Sequence, residues 1–299
     1  MILVVGGTGN LGRTAIPLLL EHGEPIRVLT RTPHNAEDLR QSGAEIVAGD
    51  LTNPASLHRA CAGIDTVFVA AHSLLGRGKT TSTRVDDIGV KRLIDAAKAA
   101  GVKHIVYTSV YGVAPDHPVA FCRTKYGVEQ YLRASGLSFT ILRPTAVFIP
   151  HATLIGEPIL KNGKTTIFGR GNNPRNFVAL TDVAQIAVRT LNDPHARGEI
   201  IEIGGPDNMT NNHVAELYGR IAGITPKITH VPPRVLRILA TILKPVHPGL
   251  SSVVAWSLYS ETANETFDTS ALLQRYPLVL TKLQDWIQTQ GLYKRVRHS

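Results

Sequence analysis

The feature that most constrains this chain lies at its start, where the apolar run Ile2-Leu3-Val4-Val5 meets Gly6-Gly7-Thr8-Gly9-Asn10-Leu11-Gly12 and a helical pattern follows over 11–22. A strand, a glycine turn with G-x-G-x-x-G spacing at Gly7, Gly9 and Gly12, and a helix open a dinucleotide-binding βαβ unit. On that reading Gly7 allows the tight turn, Gly9 lets backbone amides approach a pyrophosphate, and Gly12 lets the helix press against the strand. Unpaired amides at the helix N-terminus and the helix dipole then hold the anion. The expected cradle is Gly6, Gly7, Thr8, Gly9, Asn10, Leu11 and Gly12.

The rhythm continues for half the chain. Short β-branched runs at 26–29, 45–47, 66–69, 104–108 and 139–142 alternate with helical patterns at 36–42, 54–61, 84–100 and 125–135. Such alternation builds a parallel sheet from βαβ units. Gly23, Gly43, Gly63, Gly101 and Gly136 stand where left-handed C-terminal residues are wanted. The expected fold is therefore α/β, a doubly wound parallel sheet of Rossmann type.

After Pro144 the pattern breaks. The segment 145–175 is rich in Gly, Pro and Asn, and Lys161-Asn162-Gly163-Lys164 predicts a tight hairpin turn. A helix capped by Asp182, a strand over 199–203, a turn at Gly204-Gly205-Pro206 and helices over 212–221, 234–243 and 280–290 follow. This divides the chain into a nucleotide-binding domain, 1–144, and a smaller α/β substrate-side region, 145–299, interleaved with the last elements of the sheet. Ligands of such sheets lie outside the carboxyl ends of the strands, so the C-terminal pieces are expected to cover the site.

In NAD-specific sites an acidic residue at the end of the second strand binds the ribose 2′-hydroxyl. Here Thr30-Arg31 stands in its place. A guanidinium pairs with a 2′-phosphate where a carboxylate would repel it, so NADP(H) is favoured over NAD(H); the alternative is that Arg31 stacks on the adenine. Asp50, followed by Leu51, ends the third strand, where its carboxylate reaches the adenine amino group or serves only the turn. Ala70-Ala71-His72-Ser73 ends the fourth, beside the riboses, and Thr145 follows the sixth.

Composition narrows the rest. The net charge of +9 is scattered, apart from the tail Lys294-Arg295-Arg297-His298, and no aromatic-basic interleaving accompanies it, so no nucleic acid is expected. Cys61 and Cys122 fit neither a disulfide framework nor a metal site and read as small buried side chains. The apolar run at the start does not read as a signal peptide, and the apolar stretch 235–243 is far shorter than the roughly 20 residues of a membrane span. A cytoplasmic protein without membrane contact, monomer or homodimer, is the expectation. No nucleophile elbow, zinc-binding His pair or hydrolase carboxylate pair is present, which disfavours hydrolysis.

The glycine loop, Arg31, Gly49-Asp50-Leu51, the run from Ala96 to Ser109, Ile141-Leu142-Arg143-Pro144, Leu180-Thr181-Asp182-Val183-Ala184 and the region from Phe267-Asp268 to Trp286-Ile287 together resemble the NmrA-like atypical short-chain dehydrogenase/reductases. That family includes quinone, azo-dye and triphenylmethane reductases, isoflavone-type reductases, oxygenase-like tailoring proteins and redox sensors that bind NADP(H) without turnover. Short-chain dehydrogenases generally use Tyr-x-x-x-Lys, yet the matching stretch here is Phe121-Cys122-Arg123-Thr124-Lys125. The usual acid is missing, while Lys125 is placed to hold the nicotinamide ribose or act as the acid itself; isoflavone-type reductases are similar in this respect. Solvated helix surface is the alternative for Lys125.

Ser109 matches the family's strand-end serine, and Tyr111 and Tyr126 are further candidate donors, with packing the alternative for Tyr111. His72 and His151 are near-neutral candidates for proton transfer, or plain polar surface. The resemblance implies hydride transfer from NADPH to an aromatic or conjugated small molecule such as a quinone, enone, imine or dye, in a pocket lined by 145–148, 151–155 and 253–259. A non-catalytic redox sensor is the alternative, and a tailoring oxygenase a further one.

Overall fold

The elements that the alternating pattern predicts are present in the computed structural model, which describes residues 1–290. They begin β1 Ile2–Val5, α1 Asn10–Glu21, β2 Ile26–Thr30, α2 Glu37–Gln41, β3 Glu45–Ala48, α3 Pro54–Cys61 and β4 Thr66–Val69. Next come α4 Val90–Ala99, β5 His104–Thr108, α5 Ala120–Ala134, β6 Ser138–Pro144, β7 Ala146–Val147, α6 Phe148–His151, α7 Glu157–Asn162, β8 Lys164–Phe168 and β9 Arg175–Val178. The chain continues through α8 Leu180–Asn192, β10 Ile200–Ile203, β11 Asp207–Met209, α9 Asn211–Ala222, β12 Lys227–Val231, α10 Pro233–Val246, α11 Pro248–Tyr259, α12 Ser270–Arg275 and α13 Leu283–Thr289.

Seven strands form one sheet in the order β10-β6-β5-β4-β1-β2-β3, the doubly wound arrangement expected. The order reverses at β1, which lies between β2 and β4. Val5 pairs with Leu29 on one side and Val69 on the other, and Val69 pairs with Tyr107. The carboxyl ends of β1, β2, β4 and β5 therefore finish at one level, and the loops that leave them share one edge. Leu3, Val4, Val67, Phe68, Ile105 and Val106 are fully buried, as strands covered on both faces require.

Two compact units divide the chain, Met1–Arg143 with Val183–Glu202, and Pro144–Asp182 with the residues from Ile203 onward. The first holds a core centred on Leu3, Leu93, Ile105 and Ile141. The second has its own, around Phe148, Ile159, Phe177 and Tyr218. Both cysteines are buried, as read, and burial pushes the Cys61 thiol up to about 11 against the opposing charge of Arg27.

Three local expectations are corrected. Gly163 does not turn a hairpin: at φ 67° it ends α7, and β8, which follows at once, pairs in parallel with the distant β12. Asn-Gly suits a left-handed helix terminus as well as a hairpin turn. Helix α5 starts at Ala120, because Phe121, Cys122, Lys125, Val128, Glu129 and Leu132 make one buried helical stripe, so Lys125 is inside the helix and not in its first turn. Asp182 is not a cap: it is fully buried, and its two carboxylate oxygens accept from the Thr281 amide and hydroxyl at 2.8 Å each. The basic tail lies outside the described residues.

His104 shows how burial sets a pH limit. It is buried between two hydroxyls, with Nδ1 3.0 Å from Ser138 Oγ and Nε2 3.1 Å from Thr140 Oγ1. The Thr140 hydroxyl donates to the Ala196 carbonyl, so it accepts from Nε2–H. Burial, then the charge of Arg197, lowers its pKa to about 4. An unfolded histidine titrates near ~6.5, so the unfolded chain binds the extra proton first and stability falls as pH drops from ~6.5 toward about 4. Urea unfolding at pH 7 and pH 5 should show this loss, and His104→Gln should reduce the difference; an equal difference in the variant would assign the acid loss elsewhere.

Candidate functional site

The glycine loop leaves β1 with Gly6 at φ 88°, so Gly6, rather than Gly7, supplies the left-handed residue of the turn. A Cβ on Gly6 would come within 2.6 Å of the Ala71 amide nitrogen, on the loop after β4. Gly7 is required for space, since its Cβ would meet Val28 at 2.7 Å. Gly12 sits against the turn itself, and a Cβ there would lie 2.4 Å from the Gly6 carbonyl oxygen. Gly9 stands at the head of α1 without a side-chain cap, and no acidic residue follows in the first turn. The helix thus keeps its first amides and positive end available for an anion.

Around this cradle the strand ends bring further groups to the same edge. Arg31 follows β2, is exposed, and makes no hydrogen bond or ion pair among the described residues. Arg13, which sequence reasoning missed, stands nearby on α1: its guanidinium holds the Thr8 carbonyl at 3.3 Å, the Asn35 carbonyl and the Asp38 carboxylate. A second arginine therefore braces the glycine loop against the segment after Arg31. Asp50 closes a local turn, with Oδ1 accepting from the Thr52 amide at 2.7 Å and the Thr52 hydroxyl at 2.8 Å, and Leu51 is part of the core.

The centre of the site is a buried ion pair. Lys125 is 1% exposed, yet its Nζ lies 3.6 Å from Asp86 Oδ1 and donates to the Thr108 carbonyl oxygen at 3.1 Å. The ammonium also faces the rings of Tyr107 at 4.9 Å and Phe121 at 5.5 Å. Burial lowers the Lys125 pKa, and the Asp86 carboxylate opposes that shift. The solvated alternative for Lys125 is thereby removed.

Asp86 is fully buried on a turn of π-helix, Thr83–Gly89, and sequence reading did not find it. Both of its oxygens accept from the Ser73 amide, at 3.0 and 3.2 Å, so one carboxylate ties the loop after β4 to the lysine of α5. Its sequence signal was slight, an acid in the expected helix over 84–100 with no visible partner. Ala70, Ala71 and His72 lead into this loop. His72 keeps much of its surface in solvent, so the lowering of its pKa by desolvation, and then by the Lys125 charge, is tempered by water.

Ser109, one residue beyond the carbonyl that holds Lys125, is 2% exposed, and its Oγ has no hydrogen-bond partner, like Tyr107 Oη and Thr108 Oγ1 beside it. Buried hydroxyls without a partner are uncommon and call for a water, an ion or a bound group. Tyr111 is half-buried in the following loop, where burial, then the charge of Glu202, raises its pKa. Tyr126 is half-buried on α5.

In the second unit, Thr145 donates to Asn176 Oδ1 at 2.9 Å, and Asn176 donates in turn to Gly205 O and Asn208 Oδ1, each at 3.0 Å. His151 is no neutral-pH proton carrier. Its Nδ1 lies 3.1 Å from the Val147 carbonyl, and burial, then the charge of Arg175, lowers its pKa to about 3. Among the described residues no group of His, Cys, Asp and Glu is arranged to hold a metal ion.

Fold and site together define a doubly wound Rossmann protein with a glycine turn and an uncapped helix N-terminus at its switch point. Residues 1–286 match the NmrA-like family, and the chain belongs to it. The NAD(P)H azoreductase of Xenophilus azovorans is 32% identical over 75% of this chain and 74% of its own length. A photosystem II assembly factor, Ycf39 of Trieres chinensis, is 26% identical over 99% of this chain and 95% of its own. Among solved structures, an NADPH-dependent quinone oxidoreductase from Escherichia coli, complexed with NADPH, has a TM-score of 0.80 at 24% identity and covers 97% of this chain and 99% of its own.

Proposed function

We propose that this protein is an NADPH-dependent reductase of electron-poor, conjugated small molecules. The observation that carries the proposal is the buried Lys125, fixed by Asp86 and the Thr108 carbonyl beside the unpartnered Ser109 hydroxyl, at the same sheet edge as the glycine cradle. The residues fit the nucleotide: the glycines allow a tight backbone turn that a side chain at Gly6, Gly7 or Gly12 would clash with, the first amides of α1 are uncapped, and the Arg31 guanidinium is unengaged. Gly6 to Gly12 would hold the pyrophosphate, Arg31 the 2′-phosphate, and Ala70 to Ser73 with Lys125 the ribose side. When bound, the nicotinamide supplies a hydride.

The protein's own part is positioning and proton supply. Phe121 cannot donate a proton, and the raised pKa of Tyr111 makes it a weaker acid than an ordinary phenol. Lys125, its pKa lowered by burial, is the candidate acid. Quinones, azo dyes and enones ask little of an acid because the negative charge that follows hydride addition is delocalised, which suits a site without the usual tyrosine. The azoreductase relative supports this acceptor class. NADPH oxidation should rise above background with at least one of these classes; background rates across all of them would refute the proposal.

A second reading draws on the missing tyrosine and on the assembly-factor relative, which matches nearly the whole chain. In it the protein binds NADP(H) and reports the redox state to a partner. That requires the reduced and oxidised forms to bind with different affinities or to favour different assemblies, because equal affinity shifts no equilibrium. Calorimetry giving equal affinities, with no change in oligomeric state, would eliminate it.

A further inference from the structure

Helix α10 carries an apolar stripe that its own unit leaves uncovered. Val235, Ile238, Ile242 and Val246 are spaced for one helical face and are 43%, 61%, 62% and 70% exposed. The neighbouring face makes the structural contacts: Leu236 is fully buried, and the Ser251 hydroxyl of α11 donates to the Ala240 carbonyl at 2.7 Å. Packing on that face leaves the stripe exposed.

Charge selects what covers it. Arg234, Arg237 and Lys244 are exposed on the polar side of the same helix, Arg234 bordering the stripe and Arg237 and Lys244 lying on the face away from it, and none forms an ion pair among the described residues. From Leu217 to Ser260 the sequence contains no Asp or Glu. A second copy meeting this face through a two-fold axis would bring a segment of the same positive charge, with no acid from Leu217 to Ser260 to offset it. With 14 residues, α10 is too short to cross a bilayer, and no helix among the described residues is long and apolar enough to do so. A short helix with an apolar stripe and a polar face of Lys and Arg instead suits the plane of an anionic membrane, where its apolar side chains enter the headgroup boundary and its cations stay among the lipid phosphates.

We infer that α10 docks this protein reversibly on anionic lipid surfaces, a departure from the expectation of no membrane contact. The test is co-sedimentation of the full chain with vesicles of phosphatidylcholine, with and without phosphatidylglycerol, at low and high salt. Binding should require phosphatidylglycerol and weaken with salt, and Arg234→Gln/Arg237→Gln/Lys244→Gln should weaken it about a hundredfold. Ile238→Glu/Ile242→Glu should abolish binding without lowering the unfolding midpoint, since both side chains are exposed. Absence of binding to anionic vesicles at low salt, or equal binding by the two-glutamate variant, would overturn the inference. So would a wild-type dimer, detected by light scattering, that this variant splits into monomers.

Discussion

Replacing Lys125 with methionine is expected to destabilise the protein by about 3–5 kcal/mol, the cost of leaving one member of a buried ion pair without its partner. Methionine fills a similar volume, so the loss comes from Asp86, whose carboxylate stays fully buried with only the Ser73 amide to satisfy it. Adding Asp86→Asn to the same protein should restore much of the stability, because a neutral amide oxygen still accepts from Ser73 and no buried charge remains. Urea unfolding of the two variants measures this directly. A Lys125→Met protein as stable as the parent would mean that the 3.6 Å pair is not the electrostatic centre of the site. NADPH oxidation should be lost in both variants, as neither has an ammonium beside the Thr108 carbonyl, which separates the role of Lys125 in the reaction from its role in folding.

Reversing the charge at Arg31 should reach the nucleotide and leave the fold intact, since the side chain is exposed and engages nothing else among the described residues. A charge-assisted contact to a phosphate contributes about 1.5–3 kcal/mol. Arg31→Glu should therefore weaken NADPH binding by about ten- to a hundredfold or more, because a carboxylate also repels the 2′-phosphate. NADH has no such phosphate, and a carboxylate at the end of β2 suits its ribose hydroxyls, so its affinity should hold or rise. Calorimetry with both nucleotides gives the comparison. Unchanged NADPH affinity would assign the 2′-phosphate to another group, and Arg13, which already braces the glycine loop, would be the first to examine.

What was legible in the sequence was what local chemistry dictates. The glycine loop could be read because three glycines, an apolar run and a helical pattern constrain one another within a dozen residues, although only the structure shows that Gly6 takes the positive φ and that Gly7 is there for Val28. The doubly wound sheet follows from the alternation of strands and helices, while the strand order is the structure's. Asp86 was hidden because its partners, Ser73 and Lys125, lie on other elements, and an acid in an amphipathic helix ordinarily faces water. The start of α5 was hidden because Lys125 and Glu129 occupy core-facing positions and interrupt the apolar period that marks a helix. In the same way β8 pairs with β12, a match no local pattern announces.

Asp182 also bears on how the chain reaches its final form. The carboxylate that sits near the start of α8 is satisfied by Thr281, 99 positions later. During synthesis that acid waits, hydrated, until the 99 positions up to Thr281 have been translated. The second unit can be fastened only after that, so a product truncated before Thr281 would leave the first unit's sheet largely encoded and the second without its clasp.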